Sequence, residues 1–361
     1  MVKEYDTKNN LFGILKYWAA FSVFMLHYGG FWRIYRGYLL YVEWHYEKVT
    51  FFPPVIIFLA ISGFLTAGSL DRSGSVREFF SKRIKRIYIP LWISTIAYLI
   101  MYLIIARDRI DGSIILWLLT SLVGIAYTPS CLADFVTGSA NGVLWTITVL
   151  IELYVISGLL WKYIKKISAG MWLVILPLLA LANVGSEFLD QRGGIAAKLL
   201  ERTFIPFAVF YFLGMAAYLY RRELGNKLHL IGAAAVIVLL IYHKLRLPDY
   251  GYYTGIVRGL LTSLAAVGIG SWSPEKIGDK GLAGMFGLFS RFDFTYEIYL
   301  YQWAVFTVLI FLGIYETGEW YSVYYTAEYS VYGVSLVMYL LTRLLMRKLE
   351  HKSLDKLRDH L

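Results

Sequence analysis

Apolar runs of about twenty residues, parted by short polar or basic stretches, recur along the whole chain. At 1.5 Å per residue, a helix of that length crosses the ~30 Å hydrocarbon core of a bilayer. The pattern predicts an all-α, polytopic integral membrane helical bundle of about ten transmembrane helices, in a single domain over residues 1–361. The predicted spans are Leu11–Gly30, Phe51–Leu70, Ile89–Ala106, Val143–Trp161, Met171–Asn183, Phe204–Tyr220, Leu228–Tyr242, Thr254–Ser271, Phe294–Gly313 and Ala327–Met346. The third begins close to Pro90, where a first helical turn tolerates proline. The first has no small-residue cleavage site and is too long for a signal peptide, so it is read as a retained span.

One more apolar stretch, Ile114–Tyr127, breaks the alternation. If it crossed, the basic ends at Lys162, Lys165 and Lys166, at Arg221 and Arg222, and at Arg347 and Lys348 would face outward. The positive-inside bias opposes that. It is therefore predicted to be a re-entrant or packed helix, permitted at membrane depth where protein buries it. The densest basic stretch, Asp71–Tyr88, carries Arg72, Arg77, Lys82, Arg83, Lys85 and Arg86 and belongs on the cytoplasmic side. Both termini are then cytoplasmic, and the basic tail 347–361 lies along the inner membrane surface.

Composition agrees. The chain is 58% hydrophobic, against about 45–50% in soluble domains. A net charge of +10 in such a chain reflects topology and not nucleic-acid binding. The single cysteine, Cys131, allows no intrachain disulfide. There is no P-loop, dinucleotide fingerprint, zinc-binding HExxH, Cys/His cluster or G-x-S-x-G elbow. ATP-driven, redox and metal-hydrolase chemistry therefore find no support, and neither a metal nor a permanently bound cofactor is expected.

Ionisable residues inside spans are costly and mark functional sites by default. The first span carries Lys16 and His27, eleven residues apart. That spacing puts them ~16 Å apart along the helix and within roughly 20° around it. A snorkelling lysine and an interfacial histidine are the plain alternative. Glu152 stands alone among apolar residues and needs a cation, Lys16 or an arginine, or a substrate to contact. Arg83 and Arg86, three apart, share a helix face and can grip phosphate oxygens, or act only as a topology signal. The run from Phe294 to Trp303 opens a late span with polar and aromatic residues, among them Tyr299 and Gln302. His27 is the one imidazole well placed inside a span, and histidine is the usual general base near neutral pH.

Taken together, these stretches resemble the membrane acyltransferase-3 family of integral membrane O-acyltransferases. Lys16 and His27 match its basic residue, ten intervening residues and catalytic histidine, with lysine where arginine is commoner. Ser62-Gly63-Phe64-Leu65 matches the end of its phenylalanine-rich second span. Arg83, Arg86 and Pro90 match its R-x-x-R entry to the third span. Trp145 to Tyr154, with Glu152, is similar to its tryptophan-initiated span. Tyr296 to Gln302 matches Tyr-x-Ile-Tyr-Leu-x-His except at the last position, where glutamine replaces histidine and cannot carry a proton at neutral pH. The resemblance implies transfer of an acyl group, usually acetyl, from cytoplasmic acetyl-CoA or another acyl-CoA to a hydroxyl of a cell-envelope glycan or lipid-linked glycan, in the plasma membrane. It implies His27 as base or acyl relay, with Arg83, Arg86 and Lys16 toward the donor and Glu152, Tyr299 and Gln302 toward the acceptor or in structural roles. Glu43 or Asp134 is a candidate to orient the imidazole. The rival reading is a transporter or flippase of a glycan or lipid-linked intermediate, which charged residues in spans and a basic inner face also fit. Oligomeric state is not assigned.

Overall fold

The computed structural model describes residues 9–358 apart from 201–202 and 274–279. Within them the chain is helical and contains no β-strand. The first helices are α1 (Phe12–Arg36), α2 (Leu40–Val49), α3 (Pro54–Arg72), α4 (Val76–Ile105), α5 (Ser113–Leu122) and α6 (Leu144–Ile164). They are followed by α7 (Ala169–Arg192), α8 (Ile195–Leu200), α9 (Ala208–Leu219), α10 (Arg221–Leu224), α11 (Lys227–Lys244) and α12 (Ile256–Gly270). The last four are α13 (Lys280–Arg291), α14 (Thr295–Phe311), α15 (Ile314–Thr317) and α16 (Trp320–Arg358).

Among the described residues, six stretches are long and apolar enough to cross a membrane: Leu40–Arg72, Val76–Ile105, Leu144–Ile164, Ala169–Arg192, Lys227–Lys244 and Trp320–Lys348. Taking α13 and α14 as one broken span makes seven. α1 has the length, 25 residues, but Lys16 and His27 dilute its apolarity. The outward faces are apolar as well: Leu173 is 78% exposed and Ile104 72%. Water would penalise such faces, whereas lipid solvates them. The protein is a multi-pass membrane protein.

The chain divides into two compact units. The first comprises residues up to Val23, Lys48–Phe80 and Thr148–Asp293; the second comprises Phe24–Glu47, Ser81–Ile147 and the chain from Phe294 onward. Each has its own packing logic. In the first unit, α3 lies along α9 at backbone contact. A Cβ on Gly63 would stand 1.9 Å from the Tyr211 carbonyl oxygen, and one on Gly214 would stand 2.0 Å from that of Ala60. Small residues are what allow membrane helices to approach this closely. Gly63→Ala should therefore force the pair apart and destabilise the unit by roughly 1–3 kcal/mol or more. Thermal unfolding in detergent reads this, and an unchanged midpoint would contradict it. In the second unit, α14 packs along α16. There Trp117 of α5 meets a buried cluster of Tyr98, Tyr102, Leu132 and Phe135.

Several boundaries differ from the sequence reading. α4 starts at Val76, so Pro90 lies inside a helix and not in its first turn. The basic run from Arg77 to Arg86 is helical, because its charged residues are good helix formers. A near capping box starts it: Glu78 N–H donates to Ser75 Oγ at 3.1 Å, and Glu78 Oε2 accepts from Gly74 N–H at 2.9 Å. α7 is 24 residues long, well beyond the Met171–Asn183 expected. Polar residues in its second half bond backbone elsewhere in the unit. Asn183 Nδ2 donates to Pro206 O at 2.7 Å, and Glu187 accepts from Gly251 N–H at 2.6 Å. α5, expected as re-entrant or packed, has 10 residues, about half the length of a span. α16 runs unbroken into the basic tail as far as Arg358, and residues 359–361 of that tail lie outside the described residues.

Candidate active site

His27 lies on α1, half-buried. Its Nδ1 is 3.1 Å from Oε1 of Gln302 on α14, 275 residues away in sequence. Gln302 is fully buried, and its Nε2 donates to the Tyr299 carbonyl at 3.3 Å. That second bond fixes which way the amide points, since only the nitrogen can donate to a carbonyl. Oε1 then accepts from the imidazole, so Nδ1 carries the hydrogen and Nε2 keeps its lone pair. A partner on one ring nitrogen sets the tautomer and leaves the other nitrogen as the base. The indole of Trp303 stands against the imidazole, ring centres 5.1 Å apart and planes perpendicular. Phe306 closes another side at 6.4 Å.

α14 is itself held by α4. The Tyr98 hydroxyl donates to Leu300 O at 2.9 Å and accepts from Ala304 N–H at 3.0 Å. It thus enters the i to i−4 ladder of α14 on either side of Gln302 and Trp303. The Tyr299 hydroxyl is buried against Thr146 Oγ1.

The other expected residues fall elsewhere. Lys16 is ion-paired with Asp293 in the first unit, both side chains largely buried at 16% and 12% exposure. Beside this pair the Tyr17 hydroxyl donates to Phe292 O. Glu152 takes no ion pair with Lys16; its Oε2 accepts from Phe204 N–H at 2.7 Å. A backbone amide at the entry to α9 thus bonds the carboxylate. Glu43 does not orient His27: it pairs in two-pronged fashion with Arg33, with Arg33 Nε donating at 2.9 Å. Asp134 is exposed, and Gln302 holds the position by the imidazole expected of those acids. Arg83 and Arg86 lie one turn apart on α4. The first turn of α14 reaches the same stretch, where the Tyr296 hydroxyl donates to Ile87 O at 3.3 Å.

Asp293 escaped the sequence reading, and Trp303 entered it only as the end of the aromatic run, with no role. Trp303 directly follows the motif that ends at Gln302, which was the only local signal; for Asp293 there was none.

A half-buried imidazole bonded to a buried glutamine thus stands in a polytopic membrane bundle. The comparisons give its family. The family described as an acyltransferase domain, acyltransferase-3, matches residues 10–354, and the chain belongs to it. One relative is nodulation protein 10 of Rhizobium leguminosarum bv. viciae, 28% identical over 339 residues and covering 86% of each chain. Another is the O-acetyl transferase of Shigella phage Sf6, 25% identical over 262 residues, covering 71% of this chain and 74% of the phage protein. No solved structure matches. The protein is an O-acyltransferase, transferring an acyl group to a hydroxyl, and the family match covers both units.

Proposed function

We propose that the protein transfers an acyl group, in the first instance acetyl, from cytoplasmic acyl-CoA to a hydroxyl of a cell-envelope glycan, with His27 as general base. The His27–Gln302 pair carries this reading. As the acceptor oxygen attacks the thioester carbonyl, Nε2 takes the hydroxyl proton. The C–O bond forms, the C–S bond breaks, and the imidazolium returns the proton to the departing CoA thiolate. Gln302 holds Nδ1–H throughout and adds no charge of its own. This is the orienting role for which a glutamine in place of histidine suffices.

Arg83 and Arg86 grip the phosphates of the donor at the inner membrane surface. The six long apolar stretches together with α1, α9, α12 and α14 make ten spans, with both chain ends on the cytoplasmic side of the plasma membrane. The test is binding of acetyl-CoA to the detergent-purified protein. Wild type should bind saturably, and Arg83→Ala with Arg86→Ala should weaken binding about tenfold or more, since each charge-assisted bond is worth about 1.5–3 kcal/mol. The loss should be largest at low salt. Equal affinity in the double variant would reduce the arginines to a topology signal, and no binding by folded wild type would remove acyl-CoA as donor.

A further inference from the structure

We propose that Trp303 is a positioning residue for His27, and that the segment 136–142 acts as a strap setting where its indole stands. The inference rests on the reading of His27 as the base. A single hydrogen bond at Nδ1 is a pivot: the imidazole can still swing about the line to Gln302. Swinging moves Nε2, the atom that must meet the acceptor hydroxyl. The perpendicular indole at 5.1 Å is the stop that a hydrogen bond alone cannot supply.

The indole is fixed on several sides. Its Nε1 donates to Ser139 O at 2.9 Å and reaches Thr137 Oγ1 at 3.1 Å. Phe31 stands against it with ring centres 5.2 Å apart. Its far carbons, Cη2, Cζ2 and Cζ3, lie 2.4–2.6 Å from where a Cβ on Gly142 would be. The strap is tied to the same helices. Tyr35 of α1 donates to Val136 O at 2.8 Å, and Tyr102 of α4 donates to Ala140 O, also at 2.8 Å. Val136 is held at φ 52°, a left-handed conformation that a β-branched residue adopts only under constraint, at about 1–3 kcal/mol. The strap is therefore shaped by its attachments to α1, α4 and α14. A loop that merely filled space would have no need of a valine in this conformation or of a glycine flush against an indole.

A double-mutant cycle between Gly142 and Trp303 tests this. Gly142 has an ordinary backbone conformation, so alanine is allowed there and acts only through its methyl group. Gly142→Ala should lower kcat about tenfold or more by displacing the indole, with acetyl-CoA affinity unchanged. Phenylalanine lacks the three carbons that the methyl group meets. In a Trp303→Phe background, itself moderately slowed, the same Gly142→Ala change should therefore cost no more than about twofold, the scale of an uncoupled pair. Equal losses in both backgrounds, or none in either, overturn the proposal. If Gly142→Ala protein cannot be purified, Trp303→Ala must lower kcat further than Trp303→Phe at unchanged donor affinity; equal rates overturn it. His27→Ala is assayed alongside. If that variant is fully active, the reading of the base fails. If it is inactive while the cycle is additive, only the role of Trp303 fails.

Discussion

His27→Ala protein will bind acetyl-CoA as wild type does and transfer acyl groups about 10²–10⁴-fold more slowly, the usual worth of a positioned general base. The separation follows from the geometry. The imidazole contributes one lone pair, at Nε2, and its other nitrogen is committed to Gln302. The arginines assigned to the donor phosphates are on α4. Gln302→Leu should fall between wild type and His27→Ala, because the base survives but its tautomer is no longer held. Single-turnover transfer of labelled acetyl groups, run beside equilibrium donor binding, reads both quantities. A His27→Ala variant that transfers at the wild-type rate would remove the base, whatever its affinity for the donor.

Lys16→Met should destabilise the first unit by about 3–5 kcal/mol, the usual effect of taking one partner from a buried ion pair. Lys16 and Asp293 are both nearly enclosed, so the carboxylate left behind cannot easily be rehydrated. The companion change separates stability from donor binding. Lys16→Met with Asp293→Asn removes both charges and should recover most of the lost stability. If Lys16 also contacts the donor, the double variant will be stable yet bind acetyl-CoA less tightly. Thermal unfolding in detergent measures the first effect and donor titration the second. A Lys16→Met protein as stable as wild type would mean that the pair contributes nothing measurable to the fold.

The periodicity of the chain made its helices legible, and the spacing of Lys16 and His27 put both on one of them. Gly63, in the stretch Ser62-Gly63-Phe64-Leu65, is where α3 meets α9 at backbone contact, and a glycine in a sequence says only that something comes near, not what. Where the reading fell short, a local pattern was answered by a distant group. The span expected to end at Asn183 runs on to Arg192, and the Asn183 amide nitrogen is met by the carbonyl of Pro206, 23 residues on. Glu152 seemed to call for Lys16 as a partner; among the described residues it bonds the amide of Phe204, 52 positions on, and Lys16 pairs elsewhere. Lys16 and Asp293 are 277 residues apart, beyond the reach of any argument from spacing. Helical periodicity identifies which face of a segment is buried and is silent about what buries it.

The ladder of α14 is completed by a hydroxyl from α4, a residue separated from its acceptor by 202 positions. That gives the molecule an order of assembly. Domains form from the N-terminus as the chain is made, so Tyr98 is already in the membrane when Leu300 and Ala304 leave the ribosome. The helix bearing Gln302 and Trp303 is then the late arrival, shaped against a finished neighbour. A chain interrupted before that point would contain His27 but neither Gln302, which bonds it, nor Trp303, which stands against it.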